Sequence, residues 1–210
     1  MTDWYRRKTW TKADEEEYFV KLNRARKEGR AQYLRIQAST LVGTKEPKLL
    51  AVAERLIQMI FSDYPDDKFE RSSSFKTLGD IYKYKHDFPR AIEYYKQAID
   101  FEETYPNVLT QSYLDFSELV VKTDAQQYFD FVETIVPKRI EGSLFPIEKY
   151  KAFSILAIIS NSKGDKENAK RFAALAEENA SAETSGLRYH KDFGVVKKRD
   201  SFLDKLIKRK

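Results

Sequence analysis

Apolar residues recur at spacings of three and four along most of this chain, which is the period of one face of a helix. The pattern is sharpest in the middle. Phe75, Leu78 and Tyr82 form one stripe, and Phe88, Ala91, Ile92, Tyr95, Ala98 and Ile99 form the next. Between them, Asp87 stands where a helix N-cap belongs, and Pro89 falls in a first turn, where a missing N–H costs little. The spacing predicts two helices joined by a tight turn. Small residues (Gly79, Ala91 and Ala98) stand where the two would have to approach closely.

The same grammar extends to both sides. Trp4 and Trp10 precede the first stripe and are expected to pack on the first helices. Thr11 and Asp14 predict a capped helix running to about Lys27, with Gly29 just past its end. A second helix is predicted over about Arg30 to Val42, with Ala31, Leu34, Ala38 and Leu41 on one face. Gly43 ends it and Pro47 opens a third, striped by Leu49, Leu50, Ala53, Leu56, Ile57, Ile60 and Phe61. Tyr64-Pro65 stops that helix. Downstream, a loop over 140–146 precedes a helix carrying Tyr150, Phe153, Leu156 and Ile159. A Gly164-Asp165 turn leads to its partner, with Ala169, Phe172, Ala173 and Ala176. Residues 186–196 break the periodicity and predict an ordered extended loop. Asp200 then caps a last short helix with Phe202, Leu203, Leu206 and Ile207.

Leu78-Gly79 and Tyr82, followed by Ala91, Tyr95 and Ala98, resemble the tetratricopeptide repeat, whose period is about 34 residues. The match covers about 72–105 well and 30–65, 106–138 and 146–181 more loosely. A shift of about 34 lays Tyr82 on Phe116, Ala91 on Ala125, Tyr95 on Phe129 and Ala98 on Val132, and brings Pro137 to the closing-proline position. In that register a helix is expected over 107–121, with Thr123-Asp124 capping the next. The resemblance implies an all-α fold: a right-handed α-solenoid of about four helix-turn-helix hairpins with N- and C-terminal capping helices. Residues 1–29 would lead and cap, 30–181 would form the repeats, and 182–210 would be the closing loop and cap. It also implies a concave groove that binds a protein partner. Carried over residue by residue, the groove positions are Ser73, Lys76, Asp80, Lys83 and Tyr84, then Asn107, Thr110, Leu114, Ser117 and Glu118, then Lys151 and Ser154, with Ile158, Asn161 and Ser162 beyond. Asp80 stands where the carboxylate-clamping subclass has asparagine, and its charge would repel such a ligand, which excludes that subclass.

Composition narrows the chemistry. There is no cysteine, so there is no disulfide framework, thiolate nucleophile or sulfur metal site. Of the two histidines, His86 falls at a repeat turn and His190 in the tail loop. No phosphate-binding glycine loop, nucleophile elbow or helical zinc motif is present. The Asp14–Glu17 run would spread around a helix rather than converge. No catalytic residue, cofactor or metal is expected, and the chain is read as a non-enzyme. The net charge is +5, and residues 185–210 alone carry nine basic and three acidic side chains. Cations in a last helical turn complement its dipole, while a basic end could also meet nucleic acid. The aromatics sit on packing stripes and no basic ladder recurs with the repeat, so nucleic acid takes second place. Without an apolar run after Arg6-Arg7-Lys8, or any of membrane-spanning length, the expected location is the cytoplasm. The leading reading is a protein-binding module, one version being an immunity-type inhibitor of a toxin. The alternative is a nucleic-acid-associated adaptor using the basic termini.

Overall fold

The computed structural model describes residues 3–206, and among these all regular structure is helical. The helices are α1 (Lys12–Arg24), α2 (Lys27–Val42), α3 (Pro47–Asp63), α4 (Arg71–Tyr84), α5 (Phe88–Thr104), α6 (Ser112–Lys122), α7 (Phe129–Ile140), α8 (Pro146–Ser162) and α9 (Lys166–Ala180). Single 3-10 turns occur at Gln126–Tyr128 and Leu203–Leu206. The chain folds as two compact units that divide between Ser112 and Tyr113.

In the first unit, Thr11 and Asp14 form a reciprocal capping box at the start of α1. Trp4 packs on Tyr18 and Tyr33 at ring distances of 5.3 and 5.0 Å, and Trp10 lies 5.2 Å from Tyr18. The first helix stops earlier than its stripe predicts. Ala25 and Arg26 are extended, and the Arg30 side chain donates to the carbonyls of Asn23 and Ala25. Those carbonyls are ones a helix end leaves unsatisfied. Gly29 therefore lies in the first turn of α2 instead of closing α1. Helices α2 and α3 pair, as do α4 and α5, and α4 also packs on α2 and α3. Leu34, Ala38, Leu41, Leu56, Ile57, Leu78 and Ile81 are fully buried within this unit.

In the second unit, α8 packs on both α7 and α9. Here the sequence register needed correcting. Helix α6 begins at Ser112, so the stretch expected to open it at 107 is loop. The next helix is entered through the 3-10 turn at Gln126–Tyr128, not through a Thr123-Asp124 cap. Pro137 lies inside α7, which continues to Ile140. It costs one backbone hydrogen bond without closing the helix.

The turns explain the slip. Lys45, His86, Asp124 and Gly164 all have positive φ, and they fall 41, 38 and 40 residues apart. A left-handed residue after a helix lets a following N–H reach back to the last turn's carbonyls. Accordingly the N–H groups of Asp87, Ala125 and Asp165 donate to the carbonyls of Tyr82, Val120 and Ser160, each at 2.9 Å. Tyr82 is thus equivalent to Val120, four residues beyond Phe116. In this register Gly79, Ala91 and Ala98 correspond to Ala157, Ala169 and Ala176 in the α8/α9 pair, which is closely packed. In the α6/α7 pair they correspond to Ser117, Phe129 and Val136. Those side chains are bulkier, and Phe116 sits edge-on against Tyr128 and Phe131, both at 5.5 Å.

Candidate partner-binding surface

The α4 residues picked out by the resemblance divide by face as a helical spacing requires. Leu78, Gly79, Ile81 and Tyr82 are buried, while Ser73, Lys76, Asp80 and Lys83 are partly exposed and Tyr84 is 37% exposed. Lys76 and Asp80, one turn apart, form an ion pair at 3.0 Å. Asp80 also accepts a 2.7 Å hydrogen bond from the Tyr95 hydroxyl of α5. This carboxylate is therefore built into the hairpin.

Helix α2 contributes to the same surface, which the family carry-over missed. Arg35 pairs with Glu70 just before α4, and the hydroxyls of Ser39 and Thr77 share a 3.3 Å hydrogen bond between α2 and α4. The ammonium of Lys45, in the turn after α2, lies 5.1 Å from the centre of the Tyr84 ring, a cation–π distance. Arg35 and Ser39 stand 41 residues before Lys76 and Asp80, the spacing of the Lys45 and His86 turns. That offset is the signal that could have found them. Among the described residues, Lys83 makes no ion pair.

Behind this surface Tyr82 is held in place. Its ring stacks on Tyr94 at 5.3 Å with Arg90 over it at 4.2 Å, and its hydroxyl donates to Glu54, which also accepts from Lys85. Burial, together with the Glu54 bond, pushes the phenol up to about 12. Burial acts to raise Glu54, but hydrogen bonds from Lys85 and Tyr82 outweigh it and hold that carboxyl below the usual range.

The remaining expected positions differ in exposure. Asn107 and Thr110 lie in the loop before α6, where the N–H and hydroxyl of Thr110 donate to Glu102 at 2.9 and 2.6 Å. Leu114, Ser117, Glu118 and Ser154 are buried, and the Ser117 hydroxyl donates to the Tyr113 carbonyl. Glu118 accepts from both Lys122 (2.7 Å) and Lys151 (2.9 Å). Burial raises its pKa, yet the two lysines bring the net shift below the usual range. Ile158 is buried, and Asn161 accepts from Lys166 at 2.9 Å. Ser162 is exposed at the end of α8. The four-residue slip moves Asn107, Thr110 and Ser117 off the groove register, whereas Leu114 and Glu118, like Ser154 and Ile158, still fall opposite Lys76 and Asp80.

A second network holds the tail of the second unit. Lys122 also donates to Asp200 at 2.7 Å, and Arg199 bridges Glu177 and Asp204 at 2.6 and 2.8 Å. The Tyr150 hydroxyl donates to Asp204 at 2.7 Å, and Leu203 is fully buried. Asp200 caps the final turn as expected, accepting from the N–H groups of Phe202 and Leu203. That turn is a four-residue 3-10 helix, and Ile207 lies outside the described residues. Among the described residues, no group of three or more His, Asp or Glu side chains is placed to hold a metal ion, and no helix is long and apolar enough to cross a membrane. No family model matches this chain, and no curated protein or solved structure is significantly similar to it.

Proposed function

We propose that this chain is a non-enzymatic protein-binding module, a right-handed α-solenoid of about four tetratricopeptide-like hairpins, that takes a protein partner on the surface shared by α2 and α4. The observation that carries this reading is the division of α4 into a buried packing face and a polar, partly exposed row ending in Lys83 and Tyr84. The row extends onto α2 through Ser39 and Arg35. Tyrosine is among the residue types that carry binding energy at protein interfaces, and the Lys76–Asp80–Tyr95 bonds hold the row in one geometry before any partner arrives. Such a preorganised surface suits a folded partner better than one that must be wrapped. A cytoplasmic inhibitor of the immunity type, covering the active surface of a toxin, is the specific version we favour.

Site-directed photocrosslinking tests the placement. A photoreactive residue at position 84 is expected to capture the partner in the native host. One at Gln58, exposed on α3, is expected not to. Capture from position 58 alone would move the surface off α2 and α4.

A further inference from the structure

The tail of the second unit carries a cleft that partner binding on α2 and α4 does not use. Residues 185–194 form a loop pinned at several points. Gly186 donates to the Leu144 carbonyl at 2.9 Å, Ile147 donates to that of Gly194 at 2.8 Å, and Phe193 donates to that of His190 at 3.0 Å. Gly194 has φ +79°, and its backbone lies so close to Phe145 that a Cβ there would fall 2.4 Å from the ring. The loop is therefore shaped in advance. Beside it opens a cleft of about 500 Å³ whose wall includes Ile147, His190, Asp192, Phe193, Lys197 and Lys198.

Two features of this cleft point the same way. Lys197 and Lys198 are exposed and make no ion pair among the described residues, whereas Arg199, the next residue, is tied to both Glu177 and Asp204. Phe193 is 64% exposed, with its ring set edge-to-face against Phe145 at 5.7 Å. An exposed aromatic face beside unpaired cations offers a surface on which a base can stack while its phosphate is neutralised. Asp192 is the one carboxylate in the wall, beside the two lysines and His190.

We infer that this cleft binds single-stranded nucleic acid, with Lys197 and Lys198 on the phosphates and Phe193 as the stacking platform for an unpaired base. An acidic peptide would use the cations but leave the exposed Phe193 ring unused. A duplex keeps its bases stacked on one another and out of reach. The inference gives the nucleic-acid alternative a defined site, and it stands on residues separate from those of the α2/α4 surface.

The experiment is fluorescence anisotropy of the full chain with a labelled twelve-nucleotide oligouridylate, run across a salt series. Wild type is expected to bind with an affinity that falls as salt rises. Phe193→Ala is expected to weaken binding roughly tenfold or more. Lys197→Glu with Lys198→Glu is expected to abolish most binding and lower the salt slope by about one to two. Lys27→Glu with Lys48→Glu makes the same charge change on the first unit and is expected to leave binding within about twofold. Circular dichroism melts check that each variant folds. Equal loss in the Lys27/Lys48 control would show charge attraction without a site. Equal affinity for an oligoglutamate peptide or for duplex RNA, binding of uridine monophosphate as tight as the oligomer, or no binding at low salt would each overturn the inference.

Discussion

Gly79 lies beneath the ring of Tyr95, so close that a Cβ added at position 79 would stand 2.4 Å from both Cδ1 and Cε1. The ring cannot swing aside easily, because Tyr95 is fully buried and its hydroxyl is held by Asp80 at 2.7 Å. Alanine is worth about 0.5–1 kcal/mol more than glycine in a helix interior, while overpacking a core costs on the order of 1–3 kcal/mol. The clash should win. Gly79→Ala is expected to lower the melting temperature, and Gly79→Ala with Tyr95→Leu to cost less than the two single changes added together. Strict additivity would mean that the two residues do not meet.

Several tyrosines are raised by burial. Tyr82 is pushed up to about 12, with Glu54 assisting, and Tyr18, Tyr113 and Tyr150 are raised further by burial. A phenol whose folded pKa exceeds its unfolded value of about 10 contributes stability that is whole below pH 10 and lost as pH rises through the folded pKa. Absorbance titration at the tyrosinate band is expected to show an early phase from exposed phenols. A late phase near or above pH 12 should coincide with loss of the helical signal. One phase near pH 10 with the helices intact would contradict the burial of these rings.

The end of the chain is tied down by several contacts at once. Arg199 links Glu177 of α9 to Asp204, and Leu203 is fully buried where the last turn meets α8. Leu203→Ala should cost on the order of 2–5 kcal/mol, as large-to-small changes at buried sites do. Arg199→Ala should cost more than a surface ion pair would, since it leaves the nearly buried Glu177 without that partner. Chemical denaturation checks both. Wild-type midpoints for the two variants would mean that the tail is a loose tether.

Local signals carried much of the fold. The Thr11–Asp14 box, the Asp87 cap, the prolines in the first turns of α3 and α5, and the small residues of the α4/α5 crossing each act within a few residues. Each was legible for that reason. The register of α6 was not. Gly164 announces a left-handed turn by its residue type, but Asp124 and Lys45 adopt the same conformation as ordinary side chains. Only the structure shows that the turns lie 38 to 41 residues apart. The early stop of α1 rests on an arginine folding back onto carbonyls, a contact no apolar stripe encodes. Ser73, Lys76, Lys83 and Tyr84 share one partly exposed face of α4, as helical spacing alone implies, whereas the burial of Ser117, Glu118 and Ser154 depends on neighbouring helices that no local pattern encodes.

The most direct test of the α2/α4 surface is a variant that leaves its framework alone. Asp80→Ala is unsuitable, because it removes the acceptor of the buried Tyr95 hydroxyl and should destabilise the hairpin. Lys83→Ala with Tyr84→Ala removes two side chains on the more exposed part of the row and should leave the melting temperature within the small range usual for surface changes. The measurement is isothermal calorimetry of this variant and of wild type against the protein captured from position 84. The account predicts an unchanged fold and an affinity at least roughly tenfold weaker, as truncating one or two central contact residues produces. Wild-type affinity in a folded variant would contradict it.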